Sequence, residues 1–138
     1  MEFSMLGVTV LLPLLWAIMI VFDIQRAMYG VAAASREATR AFTLSSSPAE
    51  GQADAERAAT LAMESQNLSG YTVPQVTCEG ADGNTSQATC LTPGSTAHIE
   101  MSYAVEMPFW PTIFGMEPPA IPVSAEHTTP YGQYRTAG

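Results

Sequence analysis

Lysine is absent from this chain of 138 residues, and its only cations are five arginines: Arg26, Arg36, Arg40, Arg57 and Arg135. Thirteen acidic residues set the formal net charge at −8. Such a chain offers little counter-charge to a phosphate backbone, so nucleic acid is not an expected partner. Cysteine is nearly as scarce: Cys78 and Cys90 are too few and too far apart for a zinc site of the usual spacing. His98 and His127 are the two histidines, and there is no Gly-rich phosphate loop, paired-histidine metal motif or Ser-His-Asp spacing. These gaps lead to the expectation of a non-enzymatic protein with no catalytic residues, no metal, no cofactor and no small-molecule substrate.

What the chain does hold is a long apolar run. Met5 to Phe22 carries no charge, and Glu2 stands just before it. As a helix rising about 1.5 Å per residue the run is about 27 Å long, close to a hydrocarbon core of about 30 Å. A secretory signal peptide would have a basic start, a shorter apolar stretch and a small-x-small cleavage site. Here the start is acidic, and Asp23, Gln25 and Arg26 intervene before Ala32 and Ala34. A buried core helix would need enclosing partners, and no other segment is apolar enough to supply them. The run therefore reads as a helix seated in a bilayer or in the core of a filament. Pro13 cannot donate a backbone hydrogen bond and is expected to kink or loosen the helix. In lipid the freed carbonyls need partners from neighbouring helices or from a side chain such as Thr9.

Beyond Phe22 the pattern changes. Ile24, Ala27/Met28, Val31, Ala34, Ala38 and Ala41/Phe42 recur in steps of three and four, while Arg36, Glu37 and Arg40 take the other side. One helix from about residue 3 to residue 44 is expected, apolar all round at first and amphipathic afterwards. It forms the first of two regions, 1–45, followed by a small α+β domain over 46–138.

The opening residues carry a resemblance. Glu2-Phe3, Leu12-Pro13-Leu14-Leu15, Asp23, Arg26-Ala27-Met28-Tyr29 and Ser35-Arg36-Glu37-Ala38 read in order like the start of TadE-like proteins. These are the minor pilins, or pseudopilins, of bacterial tight-adherence (Tad/Flp) pili. The resemblance is specific over residues 2–42 and looser downstream, where only the layout of a second helix, a cysteine pair and a few strands agrees. It implies a single-pass protein of the bacterial inner membrane with its C-terminal domain outside, able to enter an extracellular pilus used in adhesion. Its implied partners are the bilayer, other pilin subunits and the pilus assembly platform. It also implies that Glu2 registers subunits by pairing with the terminal amine of a neighbour, a partner that would offset the cost of a carboxylate in lipid. Glu2 resting in the headgroup region without a specific role is the alternative. Pro13, Asp23, Arg26, Tyr29 and Arg36 are the remaining matched positions, expected to shape and pack the helix. The family's precursors carry a short basic leader ending in glycine; here Glu2 follows Met1 directly. Arg26, Arg36 and Arg40 taken alone would place the C-terminal part in the cytoplasm by the positive-inside rule, whereas the family and the cysteine pair favour the outside.

In the domain, Ser47-Pro48-Ala49-Glu50 is a helix start, with serine as cap, proline at the first position and glutamate three residues after the cap. The helix is expected over 47–68, with Ala58, Leu61, Ala62 and Leu68 on its apolar side and Gly70 ending it. The strictly alternating stretch 97–107 is the clearest strand. Strands are also expected at 71–79, on an edge because of Pro74, and at 89–91 and 121–128. Gly80 to Asn84 is turn chemistry, so Cys78 and Cys90 are expected to face each other across a hairpin loop as a disulfide. Such a bond persists in an oxidising compartment. Phe109, Trp110, Ile113 and Phe114, set among prolines, form either a loop folded over the core or an exposed contact surface. From about Thr129 a loose polar tail is expected. Two other functions fit the same composition: an anchored accessory subunit of an envelope or secretion complex, and a secreted binding domain released near Ser35.

Overall fold

The computed structural model describes residues 2–107, 118–132 and 134, with side chains from Met5 onward. It is an α+β protein in the order α1 (Glu2–Leu44), α2 (Pro48–Ser65), β1 (Gln75–Glu79), a single 3-10 turn (Gln87–Thr89), β2 (Thr96–Glu106) and β3 (Ala120–Pro130). Helix α1 has 43 residues, on the order of 65 Å of helix, and runs through Pro13 as one element. The chain reverses over Ser45–Ser47 and α2 returns along α1. Ser47 caps α2 by accepting the Glu50 N–H at 3.3 Å, and Pro48 occupies the first turn, where its missing N–H costs nothing. The Glu50 carboxylate accepts from the Ser46 hydroxyl at 2.6 Å instead of reaching back to Ser47.

Helix α2 ends earlier than Gly70. Its last turn closes at Asn67, which holds φ +54 and lets the Leu68 N–H reach the Met63 carbonyl at 3.0 Å and its own N–H reach Glu64 at 2.9 Å. That pair of bonds is a Schellman stop, with Leu68 and Met63 supplying its apolar contact in the core. The buried side of α2 also differs from the expected one. Gly51, Ala55, Ala59 and Met63, four residues apart, face inward, Ala58 is half-buried and Leu61 is 68% exposed. Small residues win this side because they let the two helix backbones approach. A Cβ added at Gly51 would lie 2.8 Å from the Phe42 ring.

The three strands form an antiparallel sheet in the order β1-β2-β3, with β2 central. One face packs on the helices through Val76, Cys78, Ala97, Ile99, Met101, Val105 and Val123. The other is polar, as the alternation of β2 dictates. Strand β1 is an edge, as Pro74 foretells, but it starts only after that proline; Tyr71 to Pro74 form a lead-in tied to β2 by the Thr72 N–H donating to the Ser102 carbonyl at 3.0 Å and to α2 by the Tyr71 hydroxyl donating to Thr60 Oγ1 at 2.8 Å. The expected strand at 89–91 is not one. Thr89 Oγ1 donates back to the Ser86 carbonyl at 2.6 Å and Ser86 Oγ accepts the Ala88 N–H at 3.1 Å, which winds this stretch into the 3-10 turn. Nor does a loose tail start at Thr129. Strand β3 pairs with β2 through Pro130, and Tyr131 is buried, its N–H donating to the Ser95 carbonyl at 2.7 Å.

Cys78 and Cys90 are joined in a disulfide, and both are buried. It ties β1 to the 3-10 turn and closes a separation of 12 residues, a contribution of about 3 kcal/mol in the chain-entropy model. Inside that loop Gly83 takes φ +77, and Gly83 N–H donates to the Gly80 carbonyl at 2.9 Å. The Asn84 amide donates to the Asp82 carboxylate at 2.7 Å, and this bond holds the fully exposed Asp82 below the ordinary carboxylate pKa.

Candidate functional site

The candidate site is the surface of α1, which presents two environments along one helix. From Met5 to Phe22 nearly every side chain is exposed, with Trp16 and Ile20 intermediate. This is a helix long and apolar enough to cross a membrane, and none of its most apolar stretch is buried against the domain. A core helix would be enclosed; this one stands clear of the domain. Pro13 lies in this exposed part. The Thr9 hydroxyl donates to the Met5 carbonyl at 2.8 Å, so it is committed one turn back and does not answer a group released at the proline. Glu2 is the first residue of α1, and its side chain lies outside the described residues.

Asp23 and Arg26 mark the end of the apolar run and pair at 3.1 Å, one turn apart. Both are partly exposed, so the bond contributes a few tenths of a kcal/mol, on the order of other surface helix pairs. From Ala27 the helix buries one side: Ala27, Gly30, Val31, Ala34, Ser35, Ala38, Thr39 and Phe42. The core of the domain is thus built partly from residues before 45. Ser35 and Thr39 escape an apolar count, yet they fit the seam because each hydroxyl donates to its own helix. Ser35 Oγ bonds the Ala32 carbonyl at 3.1 Å, and Thr39 Oγ1 bonds the Ser35 carbonyl at 2.6 Å. Gly30 fits the seam by having no side chain: a Cβ there would lie 2.5 Å from Leu68 Cδ1. Tyr29, 75% exposed, and Arg36 project away from this chain's core. Among the described side chains of the matched positions, Asp23 and Arg26 are the pair that the structure joins.

Two adjoining depressions of about 480 and 670 Å³ lie beside the disulfide, sharing Gln52, Val76 and Gln87. Among the described residues neither is lined by an ionisable side chain. Among the described residues no group of three or more His, Cys, Asp or Glu side chains is placed to hold a metal ion. Phe109, Trp110, Ile113 and Phe114 lie outside the described residues. No protein-family model, no curated protein and no solved structure matches the chain.

Proposed function

We propose that this protein is a non-enzymatic minor pilin or pseudopilin of the TadE-like type, anchored by α1 in the bacterial inner membrane with its disulfide-stapled domain outside. It assembles into, primes or caps a tight-adherence pilus. The observation that carries the reading is the uninterrupted helix α1, exposed through Met5–Phe22 and then built into the domain core from Ala27 to Phe42. That arrangement places a rigid apolar stalk under a small head, the form a subunit needs to move from bilayer to filament without refolding. The order of residues from Glu2 to Ala38 supports the family, and the disulfide supports an oxidising compartment.

The same observation weakens the secreted-domain alternative. Release near Ser35 would strip Ala27, Val31 and Ala34 from the core, leaving Val105 and Val123 without the helix residue they pack on. Replacing Glu2 with alanine in native cells tests the proposal. The expected result is a membrane-located protein with intact disulfide and loss of assembled pili. Normal pili from the variant would overturn subunit registration and leave an anchored accessory subunit. An N-terminus near Ser35 in the protein isolated from those cells would leave a secreted domain.

A further inference from the structure

Beyond Phe22, Arg26, Tyr29, Ala33, Arg36 and Arg40 follow one another at intervals of three, four, three and four. That spacing sets them in one stripe along α1, on the side opposite its buried residues. Three of the chain's five arginines stand in it. Arg26 is engaged by Asp23, but among the described residues the Arg36 and Arg40 guanidinium groups have no ion-pair or hydrogen-bond partner, while Arg57 on α2 is held by Asp54 at 2.7 Å.

The outer face of the sheet has the opposite character. Glu79, Glu100, Glu106 and Glu126 all lie on it and are exposed. Glu100 and Glu126 sit directly opposite each other in the β2–β3 register, an arrangement of like charges that destabilises a sheet. Among the described residues the one side chain on this face that can become a cation is His98, 3.3 Å from Glu126 and 3.8 Å from Glu79. Glu100 and Glu106 have no such neighbour among those residues.

We propose that the arginine stripe of α1 docks against the acidic sheet face of a second copy of this chain standing beside it in the same bilayer. The proposal rests on the assembly reading above. Heights decide it. Asp23, Arg26 and Glu106 line one cavity of about 330 Å³ near the end of the apolar run. At the other end Phe42 and Val76 line a common depression, and Val76 pairs with Ile99. Strand β2 therefore runs down α1 from Phe42 towards Arg26. Arg26 to Arg40 spans about 21 Å of helix rise, and Glu106 to Glu100 spans about 20 Å of strand. Two copies anchored at equal depth would set Arg36 and Arg40 of one level with Glu100 and Glu126 of the other. Both faces point away from the one core, so among the described residues Arg36, Arg40 and Glu100 find no ion-pair partner within their own copy. The contact is head-to-tail and extends into an open row.

The test uses the full chain in phosphatidylcholine vesicles, with donor and acceptor dyes on C-terminal tags of two pools, read by energy transfer. The paired changes Arg36→Glu with Arg40→Glu, and Glu100→Arg with Glu126→Arg, each leave like charges on both faces. Each variant alone is expected to lose self-association by more than about tenfold. Mixing the two variants restores opposite charges at every contact and is expected to bring transfer back to near the native level. Either variant associating as the native chain does, or a mixture no better than its parts, would overturn the proposal. Circular dichroism and the intact disulfide check that the exposed substitutions leave the fold in place. A second measurement needs no charge reversal: Arg40→Cys in one pool and Glu100→Cys in the other should cross-link between pools, and its absence counts equally against the contact. The Glu2 experiment and this one fail separately, since vesicle association is scored without any pilus.

Discussion

Both halves of α1 carry an apolar surface, and they use it in opposite ways. In the lower half, Leu11, Leu12, Leu14 and Leu15 are all more than half exposed, and large side chains cover every side. In the upper half the buried residues are mostly small, with Ala27, Ala34 and Ala38 at 0% exposure, and the far side is charged. Bulk suits a helix whose surroundings are fluid and accept any shape. Small size suits a helix packed against a fixed neighbour, where backbone approach decides the fit. One helix thus carries two kinds of apolar surface, separated by the Asp23–Arg26 pair.

The largest effect should come from placing the same charge in each half. Ala34→Asp buries an unpaired carboxylate at a fully enclosed position and is expected to cost about 3–5 kcal/mol, enough to unfold the domain in a thermal melt. Leu11→Asp should leave that melt unchanged while weakening membrane retention, measured by alkaline extraction, because a central carboxylate costs about 3 kcal/mol of insertion. If both substitutions lowered the melting temperature, the two halves would not be independent. Next in size is Cys78→Ser with Cys90→Ser. Loss of about 3 kcal/mol should lower the melting temperature by on the order of 10–20 °C without releasing the protein from membranes.

Smaller changes sharpen the contrast. Gly51→Ala improves helix propensity by about 1 kcal/mol but drives a methyl against the Phe42 ring, a clash of about 1–3 kcal/mol, so net destabilisation of about 1 kcal/mol is expected by denaturant titration. Gly7→Ala, with open space around it in the half that stands clear of the domain, should leave the same titration unchanged. The smallest effect concerns Asp82. Its depressed pKa means that its contribution is present above the ordinary carboxylate value of 3.8 and is lost as pH falls through the lower, folded value. Melting temperatures of the native chain and Asp82→Asn should therefore converge below that range and differ slightly above it. Curves separated equally at every pH would remove Asp82 from the account.

What could be read in the residues follows from how local each cause is. The change of period after Phe22, the Ser47-Pro48 cap, the alternation of β2 and the reach of Cys78 to Cys90 are all local, and each element or bond is present where the pattern put it. The inward side of α2 was not legible, because Leu61 is a stronger apolar signal than Gly51 or Ala55; only the nearness of Phe42 makes smallness an advantage there. Asn67 and Gly70 both tolerate positive φ, and only the position of Met63 decides that the helix stops at the first of them. The stretch around Thr89 looked extended by composition, but hydroxyl groups bonding backwards made it a turn. On α1, Asp23 and Arg26 were legible only as matched positions, and that they pair while Arg36 and Arg40 have no partner among the described residues needs the structure.

The continuity of α1 has a mechanical consequence. A pull on the exposed end of α1 travels along one continuous helix into the domain. The seam from Ala27 to Phe42 lies parallel to that pull, so its contacts are loaded together in shear and cannot be peeled open one at a time. Sliding by one residue would carry Phe42 off the space left at Gly51 and Leu68 off the space left at Gly30, onto neighbours that have side chains, two close-fitting stops in the path of slip. The head is thus fastened to its stalk more firmly under axial tension than the modest size of its alanine contacts would suggest.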